Sequence, residues 1–352
     1  MQLYNLEFTE EEIRAAASAD RLLSMEIEFS RKCNFRCTYC YVEEQTSVVE
    51  EMSRQEIKEV ILQARALGAR KIIILGGEPS IYPHLIEMIR FLGSLDLEIE
   101  LFTNGSGITD ELAQVLAEER VRVVVKMNSR DTAIQDHLAG KKGAFAIINQ
   151  AMQRLQRVGY PSAELFLAAS TVICQPNLRE LVDLWQWLRE HDIEPYFEVL
   201  TPQANALKNS WLEVSPQELH DLFAQLSTLD WEQFGRDWEP QPPLVGNRCM
   251  RHQVSCVVTA RGDVMPCVGV TIALGNIRQQ PLAEILKNSE IVQNLKNYRT
   301  TIKGPCGTCE KSEECYGCRG AAYQMTGDYL ASDPTCWKNP ETACALRPKT
   351  NA

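Results

Sequence analysis

Residues 53–79 read SRQEIKEVILQARALGARKIIILGGEP, and along this stretch the apolar spacing changes from helical to extended. Ser53 with Glu56 three positions on is a capping box, Ile57, Val60, Ile61, Ala64 and Leu67 recur on one helical face, and Gly68 closes the helix. Lys71 to Leu75 then forms a short β-rich run, predicted as a strand, and Gly76-Gly77-Glu78-Pro79 follows at its carboxyl end. A helix returning into a strand is half of a parallel βαβ unit.

The pattern repeats outward from this stretch. Met25, Ile27 and Phe29 alternate with polar residues as a half-buried strand, and Leu97 to Phe102, Val121 to Met127, Glu164 to Ile173 and Ile193 to Leu200 supply further strands. Thr109, Gly143 and Asn177 open helices between them. Parallel βα units have right-handed crossovers, so a series of this length is expected to curl into an open barrel. The predicted fold is α/β, a partial (β/α)6 TIM-like barrel over residues 25–200 with ligands at the strands' carboxyl ends. Before it, residues 1–24 hold one leader helix, capped by Thr9 and Glu12. Residues 201–246 read as a bridge with one helix from Ser215 to Leu229. Residues 247–352 are rich in cysteine and glycine and poor in apolar stretches, which suits a small domain held by metal rather than by a core.

Composition excludes several classes. Lys+Arg 36 against Asp+Glu 47 gives a net charge of −11, so no overall basic field exists for nucleic acid or an anionic membrane, and neither is an expected partner. The longest apolar runs fall far short of the roughly 20 residues needed to span a bilayer. The first residues, Met1 to Glu7, lack the n-region and h-region of a secretory signal, so a cytoplasmic location is expected.

In a reducing compartment the 13 cysteines point to metal or redox chemistry rather than disulfides. Cys33, Cys37 and Cys40 follow the first strand with spacing that can wrap three thiolates around one multi-iron cluster. Zinc would want a fourth ligand, and no nearby His or Cys offers one. In the glycine turn, Gly76 and Gly77 would allow close backbone approach to a ligand, and Glu78 offers a carboxylate to an ammonium group.

Together, the CxxxCxxC motif (Cys33, Cys37, Cys40) and the GGEP motif (Gly76 to Pro79) resemble those of the radical S-adenosylmethionine superfamily. That resemblance implies a 4Fe-4S cluster whose open iron is chelated by S-adenosylmethionine, reductive cleavage to a 5'-deoxyadenosyl radical, and an electron donor such as flavodoxin or ferredoxin. It carries Tyr39 over as a packing contact to the adenine. Thr103 and Asn104 at the third strand's end and Ser170 on the fifth are further candidate cofactor contacts. The fourth strand departs from many relatives, reading Lys126-Met127-Asn128-Ser129, and Lys126 could hold a substrate anion or the cofactor carboxylate.

Beyond residue 247, Gly262-Asp-Val-Met-Pro-Cys267 and the run Cys306, Cys309, Cys315, Cys318 resemble the SPASM extension of radical enzymes. This implies two auxiliary 4Fe-4S clusters: Cys249, Cys256, Cys267 and Cys318 on the nearer one, Cys306, Cys309, Cys315 and Cys336 on the farther. Three clusters in all are expected. Two departures stand out: two residues rather than three separate Cys315 from Cys318, and Val268 follows Cys267 where sulfatase-maturing relatives carry an aspartate base. That activity is therefore not expected. Cys174 reads as a buried strand-end residue and Cys344 has no assigned role.

Fully ligated auxiliary clusters fit electron transfer, hence oxidative or redox-neutral modification of a peptide or protein substrate. Many peptide-modifying relatives carry an amino-terminal leader-binding domain. With the first strand starting near residue 25, a peptide substrate would need a separate recognition protein. Glu198, Asp263 and Lys126 are the candidate bases, which the sequence does not rank, Lys126 and Glu198 are expected to be catalytic, and Glu198, Gln203 and Asn205 are candidate substrate-side groups. The alternatives are a radical dehydrogenase or epimerase of a small molecule, or an iron-sulfur electron carrier or zinc-bearing binding module without radical chemistry.

Overall fold

The computed structural model describes residues 8–42 and 50–339 of the chain. Met1 to Glu7 and Cys344 lie outside the described residues. The predicted strands form β1 (Ser24–Glu28), β2 (Lys71–Leu75), β3 (Glu98–Thr103), β4 (Arg122–Lys126), β5 (Leu167–Ile173) and β6 (Glu194–Val199). They lie in the sheet order β6-β5-β4-β3-β2-β1, each neighbour pair parallel. The helices before residue 250 are α1 (Glu10–Ser18), α2 (Arg54–Ala66), α3 (Leu85–Gly93), α4 (Asp110–Glu118), α5 (Thr132–Ala139), α6 (Ala144–Arg157), α7 (Leu181–Glu190) and α8 (Pro216–Phe234), and shorter ones follow. This is an α/β partial barrel, its parallel strands buried between helices and a central cavity.

The start signals act as the sequence implied. Thr9 with Glu12, Ser53 with Glu56 and Ser215 with Glu218 form reciprocal capping boxes. The inner face of α2 (Ile57, Val60, Ile61, Ala64) is fully buried in the main core. Each large side chain there contributes roughly 1.5–3 kcal/mol by leaving water.

Three features differ from the sequence reading. First, β1 is buried on both faces rather than half-buried: Met25 and Ile27 face the apolar core, while Glu26 and Glu28 point inward and are buried as well. Alternation marks two different burials here, one apolar and one lined with polar partners. Second, α8 runs to Phe234, where Gly235 in the left-handed conformation ends it. Its Leu219, Leu222, Phe223 and Leu226 belong to the main core, and its Asp230 is fully buried. That carboxylate accepts hydrogen bonds from Trp185 Nε1 (2.7 Å), Arg189 Nη2 (3.0 Å) and Trp238 Nε1 (2.9 Å), tying α8 to α7.

Third, both edges of the six-stranded sheet are closed by the later sequence. Along β6, Val199 N–H donates to Pro243 (2.9 Å) and Val245 N–H to Phe197 (3.0 Å). Along β1, the short strand β7 (Val257–Val258) pairs in parallel, followed by the antiparallel β8 (Asp263–Met265) and β9 (Gly275–Asn276). Val258, Val264, Leu282 and Ile285 join the barrel's own core, so an apolar core reaches into the cysteine-rich region as well. No helix among the described residues is long and apolar enough to cross a membrane.

Candidate active site

The cysteine loop leaves β1 and is braced from two sides. From α5, Leu138 and Ala139 carbonyls accept the backbone N–H groups of Thr38 (3.0 Å) and Arg36 (3.1 Å). From the segment after β6, Asn205 Nδ2 donates to the Cys37 carbonyl (3.1 Å) and Asn209 Nδ2 to that of Thr38 (3.0 Å). Asn205, expected on the substrate side, holds the loop and also lines the cavity beside it. Gly140 takes a left-handed φ of +56°, and a Cβ there would stand 2.0 Å from the Arg36 carbonyl oxygen, so the close packing of α5 on the loop requires glycine.

The glycines of the GGEP turn serve the same loop. A Cβ on Gly77 would fall 2.2 Å from the Lys32 carbonyl oxygen, and one on Gly76 would fall 2.3 Å from that of Ser30. Gly77 and Glu78 N–H groups donate to Ser30 and Lys32, both at 2.8 Å. The close approach is therefore to the backbone just before Cys33. Pro79 is buried at the start of a short 3₁₀ turn. Glu78 is buried, and its carboxylate accepts from Ser80 N–H (2.8 Å), Thr103 Oγ1 (2.5 Å) and Asn104 N–H (2.6 Å). Burial raises its pKa and these donors oppose the rise. A ligand's ammonium group would share this carboxylate with the ends of β2 and β3. Asn104 Nδ2 points back to Cys33 Sγ at 3.9 Å.

Across the barrel, Lys126 Nζ donates to Ser170 Oγ (2.9 Å) and pairs with Glu198 (3.2 Å), bringing together three residues from β4, β5 and β6. The same ammonium lies 5.5 Å from the centre of the Tyr39 ring. Tyr39 is buried, and its hydroxyl accepts from Asn128 Nδ2 at 2.5 Å.

One cavity of about 1240 Å³ joins these groups. Its wall holds the cysteine loop, the GGEP turn, Thr103, Asn104, Lys126 and Glu198, and continues to Glu26, Tyr196, Gln203, Arg251 and Val268. Arg251 pairs with Glu26 at 2.9 Å, while the second Glu26 oxygen is buried with no partner among the described residues. The Oε1 of Gln203 is likewise unpartnered. The Glu26–Arg251 pair escaped the sequence reading. Its one signal was a pair of acidic residues in an otherwise apolar barrel strand. Asp263, a candidate base, accepts from Asn276 Nδ2 (2.9 Å) on the β8–β9 hairpin and does not line the cavity.

The thiols fall into groups whose surroundings suit iron-sulfur ligation. Burial, and then the neighbouring Cys40 and Cys33, push the Cys37 thiol up to about 12, and burial raises Cys33 and Cys40 too. A bound cationic centre would reverse that and hold them as thiolates. Cys249, Cys267 and Cys318 act electrostatically on one another. Cys306, Cys309, Cys315 and Cys336 line one small cavity beside Pro240 and Pro242. Backbone N–H groups donate to sulfur at Cys33, Cys267, Cys306, Cys315 and Cys318, at 3.2–3.4 Å, the kind of contact that tunes cluster ligands. Tyr316 Oη donates to Cys249 Sγ at 3.3 Å. Thiols with N–H donors to sulfur are the kind of ligand that iron-sulfur clusters take.

Cys256 stands apart from its expected quartet. It directly precedes β7, on the same face as Val258, and strand alternation turns it into the barrel core. Burial and the charge of Glu26 push its thiol up to about 12, and no thiol among the described residues acts on it. Cys174 is fully buried at the end of β5, beside Tyr39 and Leu138.

Comparison with known proteins gives this geometry a context. Residues 27–188 match the Radical SAM superfamily model, and residues 249–318 match the SPASM model, an iron-sulfur cluster-binding domain. An AdoMet-dependent heme synthase of Methanosarcina barkeri is 28% identical, over 93% of this chain and 99% of its own. A PqqA peptide cyclase of Streptomyces rochei is 28% identical over 90% of this chain and 89% of its own. Among solved structures, Streptococcus suis SuiB bound to precursor peptide SuiA superposes with a TM-score of 0.69 at 14% identity, covering 94% of this chain and 82% of SuiB. The enzyme anSMEcpe with bound AdoMet and Cp18Cys peptide gives 0.68 at 18%, covering 91% of this chain and 95% of that one. At these identities the structures establish a shared fold. With residues 27–188 and 249–318 matched by the two models and the three-cysteine loop placed at the mouth of a parallel barrel, the chain belongs to the radical SAM superfamily and carries a SPASM domain.

Proposed function

We propose that this enzyme cleaves S-adenosylmethionine reductively at a 4Fe-4S cluster held by Cys33, Cys37 and Cys40, and modifies a peptide or protein substrate oxidatively or without net redox change. Two further clusters, on the Cys249, Cys267 and Cys318 set, from which Cys256 stands apart, and on the Cys306, Cys309, Cys315 and Cys336 set, would exchange electrons with the substrate. The carrying observation is the single cavity, whose wall runs from the cysteine loop to Arg251 and Val268, beside Cys249 and Cys267. A group held there faces both the radical site and the nearer auxiliary thiols.

When bound, S-adenosylmethionine on the reduced cluster supplies hydrogen-atom abstraction. The chain's residues supply position. Tyr39 packs one wall, and Lys126, fixed by Ser170 and Glu198, offers a cation to a carboxylate. Glu26 and Arg251 present an acceptor beside a donor on the SPASM side, where a peptide amide would find both. Val268 adds an apolar side chain to this part of the wall. The relative named PqqA peptide cyclase supports a peptide substrate.

A second reading has its own support. Relatives named AdoMet-dependent heme synthase match over nine-tenths of the chain, and the cavity cations Arg31, Lys126 and Arg251 suit a small substrate bearing several carboxylates. The test is 5'-deoxyadenosine formation by the reconstituted enzyme, followed by incubation with candidate peptides, heme precursors and small polyols. Cys37→Ala is expected to abolish cleavage with the SPASM cysteines still loaded. Lys126→Met is expected to retain cleavage of bound cofactor while lowering product per cleavage event. Persistent 5'-deoxyadenosine formation in Cys37→Ala would refute the assignment.

A further inference from the structure

The shortened turn between Cys315 and Cys318 has a buried carboxylate fitted against it. Gly317 in that turn takes a left-handed φ of +63°, and a Cβ there would stand 2.7 Å from the Cβ of Asp333, so glycine is what admits Asp333. Asp333 is fully buried. Its Oδ2 accepts the Cys318 N–H at 2.6 Å, and its Oδ1 accepts the N–H (2.9 Å) and the hydroxyl (2.7 Å) of Thr335. Its own backbone N–H donates to Cys306 Sγ at 3.3 Å. Asn339 Nδ2 closes the arrangement, donating to the Asp333 carbonyl and to Cys306 Sγ, both at 3.2 Å.

Cys318 belongs to the nearer thiol set and Cys306 to the farther one, so a single residue is bonded to both. Its charge reaches both as well: burial, and then Asp333, push the Cys318 and Cys336 thiols up to about 12. No basic side chain among the described residues forms an ion pair with Asp333, and its carboxylate is offset only by the N–H and O–H donors of Cys318 and Thr335. A buried carboxylate without a cation is costly to keep, and this one stands where two sets of iron ligands meet.

We propose that Asp333 is a positioning residue shared by the two auxiliary clusters, and that its fixed negative charge keeps both at low reduction potential. The proposal rests on the reading above, in which those clusters exchange electrons with the substrate. Reduction adds negative charge to a cluster, and a buried anion beside its ligands opposes that addition. Because Asp333 adjoins both sets, it lowers both potentials together, so an electron taken from the substrate is not trapped on either cluster. When one electron passes from the nearer cluster to the farther, the first is oxidised by one and the second reduced by one. No bond breaks, and Asp333 neither gains nor loses a proton.

The test is a redox titration followed by electron paramagnetic resonance on the iron-loaded full chain, in a Cys37→Ala background so that only the auxiliary clusters contribute. Asp333→Asn keeps the size of the side chain and an oxygen for the Cys318 N–H while removing the charge. At a fixed applied potential, the ratio of reduced to oxidised form is expected to rise on the order of tenfold for each cluster, a shift of about 59 mV, with iron content unchanged. Thr335→Val removes one donor that offsets the carboxylate, and should move both ratios the other way by a smaller factor. Unchanged potentials at full iron loading in Asp333→Asn would overturn the proposal, as would a shift confined to one cluster. Loss of iron in Asp333→Asn together with unchanged potentials in Thr335→Val would overturn it too, by showing a clamp without an electrostatic role. About four irons with zinc in the otherwise unaltered enzyme would be a failure of the auxiliary-cluster reading itself, and would leave Asp333 no cluster to act on.

Discussion

Asn128, at the end of β4, donates to the Tyr39 hydroxyl at 2.5 Å and accepts from Val172 N–H at 2.9 Å, so one side chain ties the cysteine loop to two barrel strands. All three residues are buried or nearly so. Asn128→Ala strands the Val172 N–H and leaves the Tyr39 hydroxyl its hydrogen bond with Cys37. An orphaned buried group costs about 1–3 kcal/mol, so the variant should lose about that much stability. Because Tyr39 lines the cavity, weaker S-adenosylmethionine binding should accompany the loss. Urea unfolding with equilibrium binding checks this.

Cys256 yields a prediction on which sequence and structure part. Its thiol lies in the apolar core, while Cys249, Cys267 and Cys318 face one another. Cys267→Ala should therefore lose the nearer auxiliary cluster, while Cys256→Ala keeps it and loses about 1 kcal/mol of packing. Iron content and the electron paramagnetic resonance of each reduced variant decide between them. Equal iron loss in both would return Cys256 to the ligand set.

His252 gives the chain a pH dependence with a definite sign. Burial, and then the charges of Arg251 and Arg319, lower its pKa from 6.5 to about 3. Its ring lies 5.2 Å from that of Tyr316. The folded state holds the neutral ring while the unfolded chain takes up a proton, so this contribution is complete above pH 6.5 and is lost progressively as pH falls towards about 3. The slope can reach about 1.4 kcal/mol per pH unit. His252→Phe should flatten the fall in stability between about pH 7 and about pH 5, read from urea midpoints at each pH. An unchanged slope would mean that other groups carry it.

What the sequence made legible was local. Strand-helix alternation, capping boxes, the CxxxCxxC loop and the GGEP turn each span a few residues and carry their own signal, and all appear where their spacing implied. Lys126, Ser170 and Glu198 could each be nominated singly, but their meeting depends on the register of β4, β5 and β6. Contacts between distant segments were invisible: Glu26 with Arg251, Asn205 and Asn209 with the cysteine loop, and residues 243–245 with β6. The strands β7 and β9 are two residues long, below the length at which periodicity can be seen. For Glu78, the residue type was readable but not its commitment to Thr103 and Asn104, which only the packed ends of β2 and β3 create.

On the proposed function, this chain couples a radical SAM cluster to two auxiliary clusters. Iron, acid-labile sulfide and zinc per chain, measured after anaerobic purification and reconstitution, test it most directly. About twelve irons with matching sulfide, falling to about eight in Cys37→Ala, is the expected result for three four-iron clusters. About four irons with zinc in the carboxyl-terminal cysteines would contradict it and confine the iron chemistry to the barrel.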